Sequence, residues 1–187
     1  MSNETIPKIL IVGKLRSGKS EIARHLKHNH GFEEITFGGM LKFYADKIFN
    51  HDAAGGKPRE IYQKFGQACR QVDENVWVKH ADFAYRMALD SRATRGIVVS
   101  DGRQPNELVW ARANGFIIIR VEASESMRLE RAKQAGDIFN EGDLAHDTEQ
   151  HVDKFDVDYT IVNDGSLSDL KRQVDEIVGD IKAKGGR

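Results

Sequence analysis

Ile9-Leu10-Ile11-Val12 is a continuous apolar run, followed at once by Gly13-Lys14-Leu15-Arg16-Ser17-Gly18-Lys19-Ser20. Apolar residues in a row, without alternation, read as a strand buried on both faces, as in a parallel sheet covered by helices. The eight residues after it match G-x-x-x-x-G-K-S, and Ile22, Ala23 and Leu26 then follow a helical spacing. Strand, glycine loop and helix form the setting this motif requires. The glycines let the backbone curl with its N–H groups pointing at a phosphate, and the helix directs its positive end at the same anion. Lys19 is placed to neutralise β- and γ-phosphates, and the Ser20 hydroxyl to ligate Mg²⁺. Gly13, Arg16, Ser17, Gly18, Lys19 and Ser20 are therefore the expected ATP-binding set, in a motif shared by kinases, ATPases and GTPases.

Outward from this loop, strands and helices alternate. Strands are expected at 33–37, 97–100, 116–121 and 159–162, and helices at 40–49, 58–72, 76–90, 104–114, 124–133 and from Ser166 to about 185. Pro58 suits the first position of a helix, and Ser124 and Ser166 suit caps. The pattern predicts an α/β fold with a parallel sheet of five strands and helices on both faces. The stretch 38–90 breaks the alternation, because its helices follow one another with no strand between. It reads as a helical insert with a task of its own. A polar, glycine-containing segment at about 136–145 reads as a short lid, and a short helix is expected from about Asp147 to Val152.

The chain has 187 residues, which suits one domain with a sizeable core. With 28 basic against 29 acidic side chains its net charge is −1, so nothing favours long nucleic acid, and any anion must be held by a local cationic cluster. Cys69 is the only cysteine, which excludes an internal disulfide and reads as a buried neutral thiol. The apolar run near the N-terminus reaches glycine too soon for a signal peptide or a membrane span. These features predict a cytoplasmic protein that needs no membrane, and they do not exclude a homodimer.

Ser100-Asp101-Gly102-Arg103 closes the expected strand at 97–100. Ligands of open parallel sheets bind at the carboxyl ends of strands, so Asp101 can reach the metal or the acceptor, and Arg103 can grip a phosphate. Arg128 and Arg131 share a helix face just before the lid, where they could cover a transferring phosphoryl group. His25, His28 and His30, like His146 and His151, read as surface histidines without metal geometry. Trp77 lies in the helical insert and joins the acceptor-binding candidates.

Taken together, these residues resemble the nucleoside monophosphate kinases, and most closely the phage-type deoxynucleoside monophosphate kinases. The resemblance spans nearly the whole chain. It rests on GKLRSGKS at 13–20, TFGGMLKFYADKI at 36–48 and KPREIYQKFGQACRQVDENVWVK at 57–79. It continues through VVSDGRQPNE at 98–107, RVEASESMRLERAK at 120–133, HDTE at 146–149 and VDYTIVNDGSLSDLKRQV at 157–174. The resemblance implies a five-stranded P-loop kinase with an acceptor-binding insert and a short lid, moving the ATP γ-phosphate to a deoxynucleoside monophosphate. It implies that Lys42 stands where adenylate kinases place an arginine on the acceptor phosphate. It further implies that Gln63 and Arg70 line the acceptor site, and that the turn Asn163–Gly165 contacts the donor base. Asp101-Gly102 is similar to the Asp-Gly at the end of the third strand of adenylate kinases, although there an arginine comes later, after a proline, whereas Arg103 follows here at once.

The chemistry agrees. A monophosphate oxygen is already a competent nucleophile, so such an enzyme needs positive charge rather than a base. Lys19, Lys42, Arg70, Arg103, Arg128 and Arg131 supply it. Two alternatives remain open at this point: a P-loop kinase with another small acceptor, dephospho-coenzyme A-like or an alcohol, for which Asp101 would be the base; and a nucleotide-binding switch without a small acceptor.

Overall fold

The computed structural model describes residues 6–49, 58–135 and 151–185. The expected lid at 136–145, the HDTE segment and most of the helix expected from Asp147 lie outside the described residues. Five strands form one parallel sheet: β1 (Lys8–Val12), β2 (Phe32–Ile35), β3 (Gly96–Gly102), β4 (Ile117–Glu122) and β5 (Tyr159–Val162). Their order is β2-β3-β1-β4-β5. The chain leaves β1 toward one edge, returns through β3, and then builds the other edge. This reversal places the crevice for a ligand at the carboxyl end of β1, where the glycine loop begins.

Helices α1 (Lys19–His30), α2 (Gly38–Phe49), α3 (Arg59–Val72), α4 (Val76–Asp90), α5 (Pro105–Ala113), α6 (Glu125–Gln134) and α7 (Leu167–Gly185) surround the sheet, with a 3₁₀ turn at Val152–Lys154. As expected, α2, α3 and α4 follow one another before β3. The α5 boundary is set by Pro105 at its first turn and by a reciprocal cap between Gln104 and Glu107. Ser124 caps α6 by accepting a hydrogen bond from the Met127 amide.

β1 explains why its apolar run lacks alternation. Leu10 and Val12 point into a core with Phe37, Val78, Tyr85, Val99 and Phe116, while Ile9 and Ile11 point into another with Ile22, Leu26, Val98, Ile161 and Val174. The four apolar residues of β1, Ile9 to Val12, are fully buried, and each such side chain stabilises the fold by roughly 1.5–3 kcal/mol through burial. α1 and α7 cover the second core, which fixes the helix that starts at the phosphate loop against the helix that follows β5.

Three expectations change. Trp77, expected at the acceptor site, is 3% exposed: its indole N–H donates to the Gly66 carbonyl and its ring packs on Phe65 and His80. It joins α3 to α4 as core, because an indole buried in a small helical unit satisfies its one donor on the neighbouring backbone. His25 is not a surface histidine. It is buried, and with His30 it meets a carboxylate, Asp175, that lies far away in sequence. Cys69 is half-buried rather than buried.

Candidate active site

The phosphate loop is held in a conformation that ordinary side chains resist. Gly13 has φ 153°, and a Cβ there would sit 2.5 Å from the Val121 carbonyl oxygen. Gly18 has φ 112°, and a Cβ there would sit 2.2 Å from the Asn163 amide nitrogen. Arg16 adopts φ 61°, in the left-handed region, a local cost that the surrounding contacts must outweigh. The Lys19 ammonium is buried and donates to the carbonyls of Gly13 at 2.5 Å and Lys14 at 2.8 Å. Ser17 is wholly buried, and its hydroxyl has no hydrogen-bond partner. Ser20, in the first turn of α1, is exposed.

The β5–α7 turn braces this loop. Asn163 is buried and its amide donates to the Ser17 carbonyl at 2.7 Å. Arg131 on α6 donates to the Asn163 carbonyl at 2.9 Å and lies 3.5 Å from the Arg16 carbonyl. The Ser124 amide donates to Asp164 at 2.7 Å. Asn163 and Arg131 thus connect α6, the turn and the phosphate loop, a role that the spacing of residues could not show. Gly165 is exposed beside them.

Arg128 takes a different direction. With Gly13, Lys14, Arg120, Glu122 and Asp153 it lines a cavity of about 310 Å³ at the ends of β1 and β4. Its Nε is buried and has no hydrogen-bond partner. Lys14 pairs with Asp153 at 2.6 Å, which draws the 3₁₀ turn onto the loop, and Arg120 donates to the Phe155 carbonyl. A cation with an unsatisfied donor beside a phosphate loop is suited to an anion.

On the other flank of β1, Asp101 at the end of β3 accepts hydrogen bonds from the amides of Phe37 at 2.8 Å and Gly38 at 2.9 Å. It thereby fixes the start of α2. Gly38 separates it from Lys42: a Cβ on Gly38 would lie 3.2 Å from the Asp101 carboxylate and 3.9 Å from Lys42 Cε. Lys42 and Gln63 are exposed, and Arg70 and Arg103 are half-buried.

Sequence reading missed Glu107. It is 4% exposed, and its Oε2 accepts the amides of Arg103 at 2.7 Å and Gln104 at 2.9 Å, which shapes the Asp-Gly-Arg turn. Burial and the neighbouring Asp101 charge push its carboxyl up to about 7, against the two amides and Arg70, which favour the charged form. The signal was present in the order Gln104-Pro105-Asn106-Glu107, a capping box with proline at the first helical position. A raised carboxyl makes the folded state hold a proton that the unfolded chain releases. This contribution is complete below pH 4.5 and is lost as pH rises to about 7. Glu107→Gln is expected to flatten the stability profile between these values, by about 3 kcal/mol in ΔG of unfolding. Urea titrations at pH 5 and pH 8 check this, and an unchanged difference between the two would mean that Glu107 is charged in the fold.

A family model described as AAA domain matches residues 9–154. No curated protein matches the chain. Among solved structures, a shikimate kinase from Acinetobacter baumannii in complex with shikimate superposes with TM-score 0.60 at 18% identity, covering 96% of each chain. A gluconokinase from Sinorhizobium meliloti 1021 gives TM-score 0.60 at 18% identity, covering 95% of this chain and 94% of that one. A dephospho-CoA kinase from Campylobacter jejuni gives 0.57 at 17%, covering 96% and 98%. At such identities the likeness is one of fold, and it extends over nearly the whole chain. With its phosphate loop and most of its length inside the matched region, the chain belongs to the AAA domain family and has the α/β fold of the P-loop kinases.

Proposed function

We propose that this protein transfers the γ-phosphate of ATP to a ribo- or deoxynucleoside monophosphate, giving the diphosphate. The observation that carries this reading is the pairing of two cationic flanks around the carboxyl end of β1. On one side stand Lys19 and Arg128, at the phosphate loop and its cavity. On the other stand Lys42 on α2, near Asp101, Arg70 on α3, whose charge acts on Glu107, and Arg103, two residues after Asp101. Two anions held in line between such flanks need no base. Asp101 supports this, because both its oxygens already accept backbone amides and are less available to a substrate hydroxyl. The exposed Ser20 hydroxyl, one residue past Lys19, fits a metal-bound triphosphate, and Asp101 would approach the ion through water. Mg²⁺ there would screen charge on the transferring group.

The fold likeness to kinases named for shikimate, gluconate and dephospho-CoA keeps a hydroxyl acceptor as the second reading. ADP release measured over ribo- and deoxynucleoside monophosphates, beside shikimate, gluconate, dephospho-coenzyme A and no acceptor, separates the two. A monophosphate should raise ADP formation on the order of 10²-fold or more above the rate without acceptor. Turnover with an alcohol alone would sink the monophosphate reading. Arg70→Ala should weaken monophosphate binding by roughly 10–100-fold, as loss of a charged hydrogen bond does, and ATP binding far less. Calorimetry with each ligand separately is the check, and equal losses would make Arg70 a support of the Glu107 turn.

A further inference from the structure

At the end of α1 remote from the phosphate loop, two histidine rings converge on one carboxylate. His25 Nε2 and His30 Nε2 each lie 2.7 Å from the same Asp175 oxygen. One ligand atom from each of the three residues lies within 4.8 Å of the others. The imidazole centroids are 5.4 Å apart and inclined at 75°, and His30 is backed by Phe32, so the ring nitrogens approach from different planes. The side chains are 6%, 17% and 50% exposed for His25, His30 and Asp175, a floor of buried imidazole beneath an open carboxylate.

We propose that His25, His30 and Asp175 bind one divalent transition-metal ion of the zinc type, tying α1 to α7. Two imidazole nitrogens and a carboxylate oxygen suit Zn²⁺ or Co²⁺ and are the wrong set for Mg²⁺ or Ca²⁺. A tetrahedral ion with bonds near 2.0–2.1 Å places its ligand atoms about 3.3 Å apart, so the present N···O contacts need to open by well under 1 Å. Water completes the fourth position from the exposed side. Coordination through Nε2 puts the imidazole proton on Nδ1, and Nδ1 of His25 is buried with no partner. His25 therefore lacks the outer acceptor that strengthens zinc-bound histidines, which weakens the hold on the ion and makes it exchangeable rather than permanent.

The ion is remote from the nucleotide. His25 and His30 follow Lys19 by six and eleven residues on α1, rises of about 9 and 16 Å along the helix. Its role is to hold α7 against α1, so its effect is on stability and is independent of which acceptor the enzyme uses.

The test is titration of chelator-stripped protein with Zn²⁺ by calorimetry, and with Co²⁺ by visible absorption, each in excess Mg²⁺. One equivalent is expected to bind, with the ligand-field spectrum of four-coordinate Co²⁺. Zn²⁺ at a hundredfold excess over Kd should raise Tm by roughly 5–10 °C. His30→Ala and Asp175→Ala, on two different helices, should each lower the affinity at least ~10-fold and cut the Tm shift at the same Zn²⁺ concentration to about half or less, while ATP binding stays as in the parent. Zn²⁺ binding of parental strength in both variants, or none in the parent, would overturn the proposal and make the trio a hydrogen-bonded clamp.

Discussion

Lys19→Ala is expected to lower kcat on the order of 10³-fold in a protein that remains folded. The Lys19 ammonium is almost fully buried and reaches the carbonyls of Gly13 and Lys14 on the inner side of the loop. A cation held there faces the charge that develops on a transferring phosphoryl group, in a site where burial makes each interaction stronger than in water. The structural cost of removing it is smaller. Two carbonyls lose a charged donor, but the loop opens to water that replaces it, so each loss falls well short of the about 1.5–3 kcal/mol that a charged hydrogen bond contributes. Circular dichroism and thermal melting report the fold, and steady-state ADP formation reports the chemistry. Turnover within a few fold of the parent, in a folded variant, would overturn the assignment of residues 13–20 as the catalytic phosphate loop.

How much of this could be read from the sequence depended on whether the signal was local. Ile9–Val12 showed both-face burial through its composition, and the glycines, Lys19 and Ser20 followed in fixed order. The helices of the insert were legible from periodicity, with α4 at Val76–Asp90 and β5 at Tyr159–Val162 as expected. The Gln104–Glu107 box was equally local, yet only the fold shows that the capped turn carries Asp101 and encloses a buried carboxyl. Long-range partnerships left no trace. Asn163 and Ser17 meet across 146 positions, and His25 and Asp175 across 150. No periodicity links such pairs, since sheet order and helix packing bring them together. Trp77 erred in the other direction: its place in the insert suggested a ligand platform, and packing between α3 and α4 claimed the ring.

The same distinction separates Arg128 from Arg131, which the sequence presents as equivalent members of one helix face. Arg131 already holds the carbonyl of Asn163 and lies beside that of Arg16, so its guanidinium shapes the donor site through the backbone. Arg128 instead borders the cavity above Gly13 and Lys14 with an unpartnered Nε. Arg128→Ala is therefore expected to lower kcat by on the order of 10²-fold, about 2.7 kcal/mol of transition-state stabilisation, with a small change in the KM for ATP. Arg131→Ala should act chiefly on ATP, raising its KM and lowering Tm, because the turn and the loop lose their shared donor. Hydrolysis without acceptor distinguishes the two further. A charge that completes the site around two bound anions contributes little when water is the only acceptor, so Arg128→Ala should leave the slow background rate nearly unchanged. The measurements are kcat, KM for ATP and background hydrolysis for both variants. Parental kcat in Arg128→Ala would make it a solvated helix residue, whereas equal kcat losses with unchanged KM in both would show that the two arginines act together on the reacting phosphate.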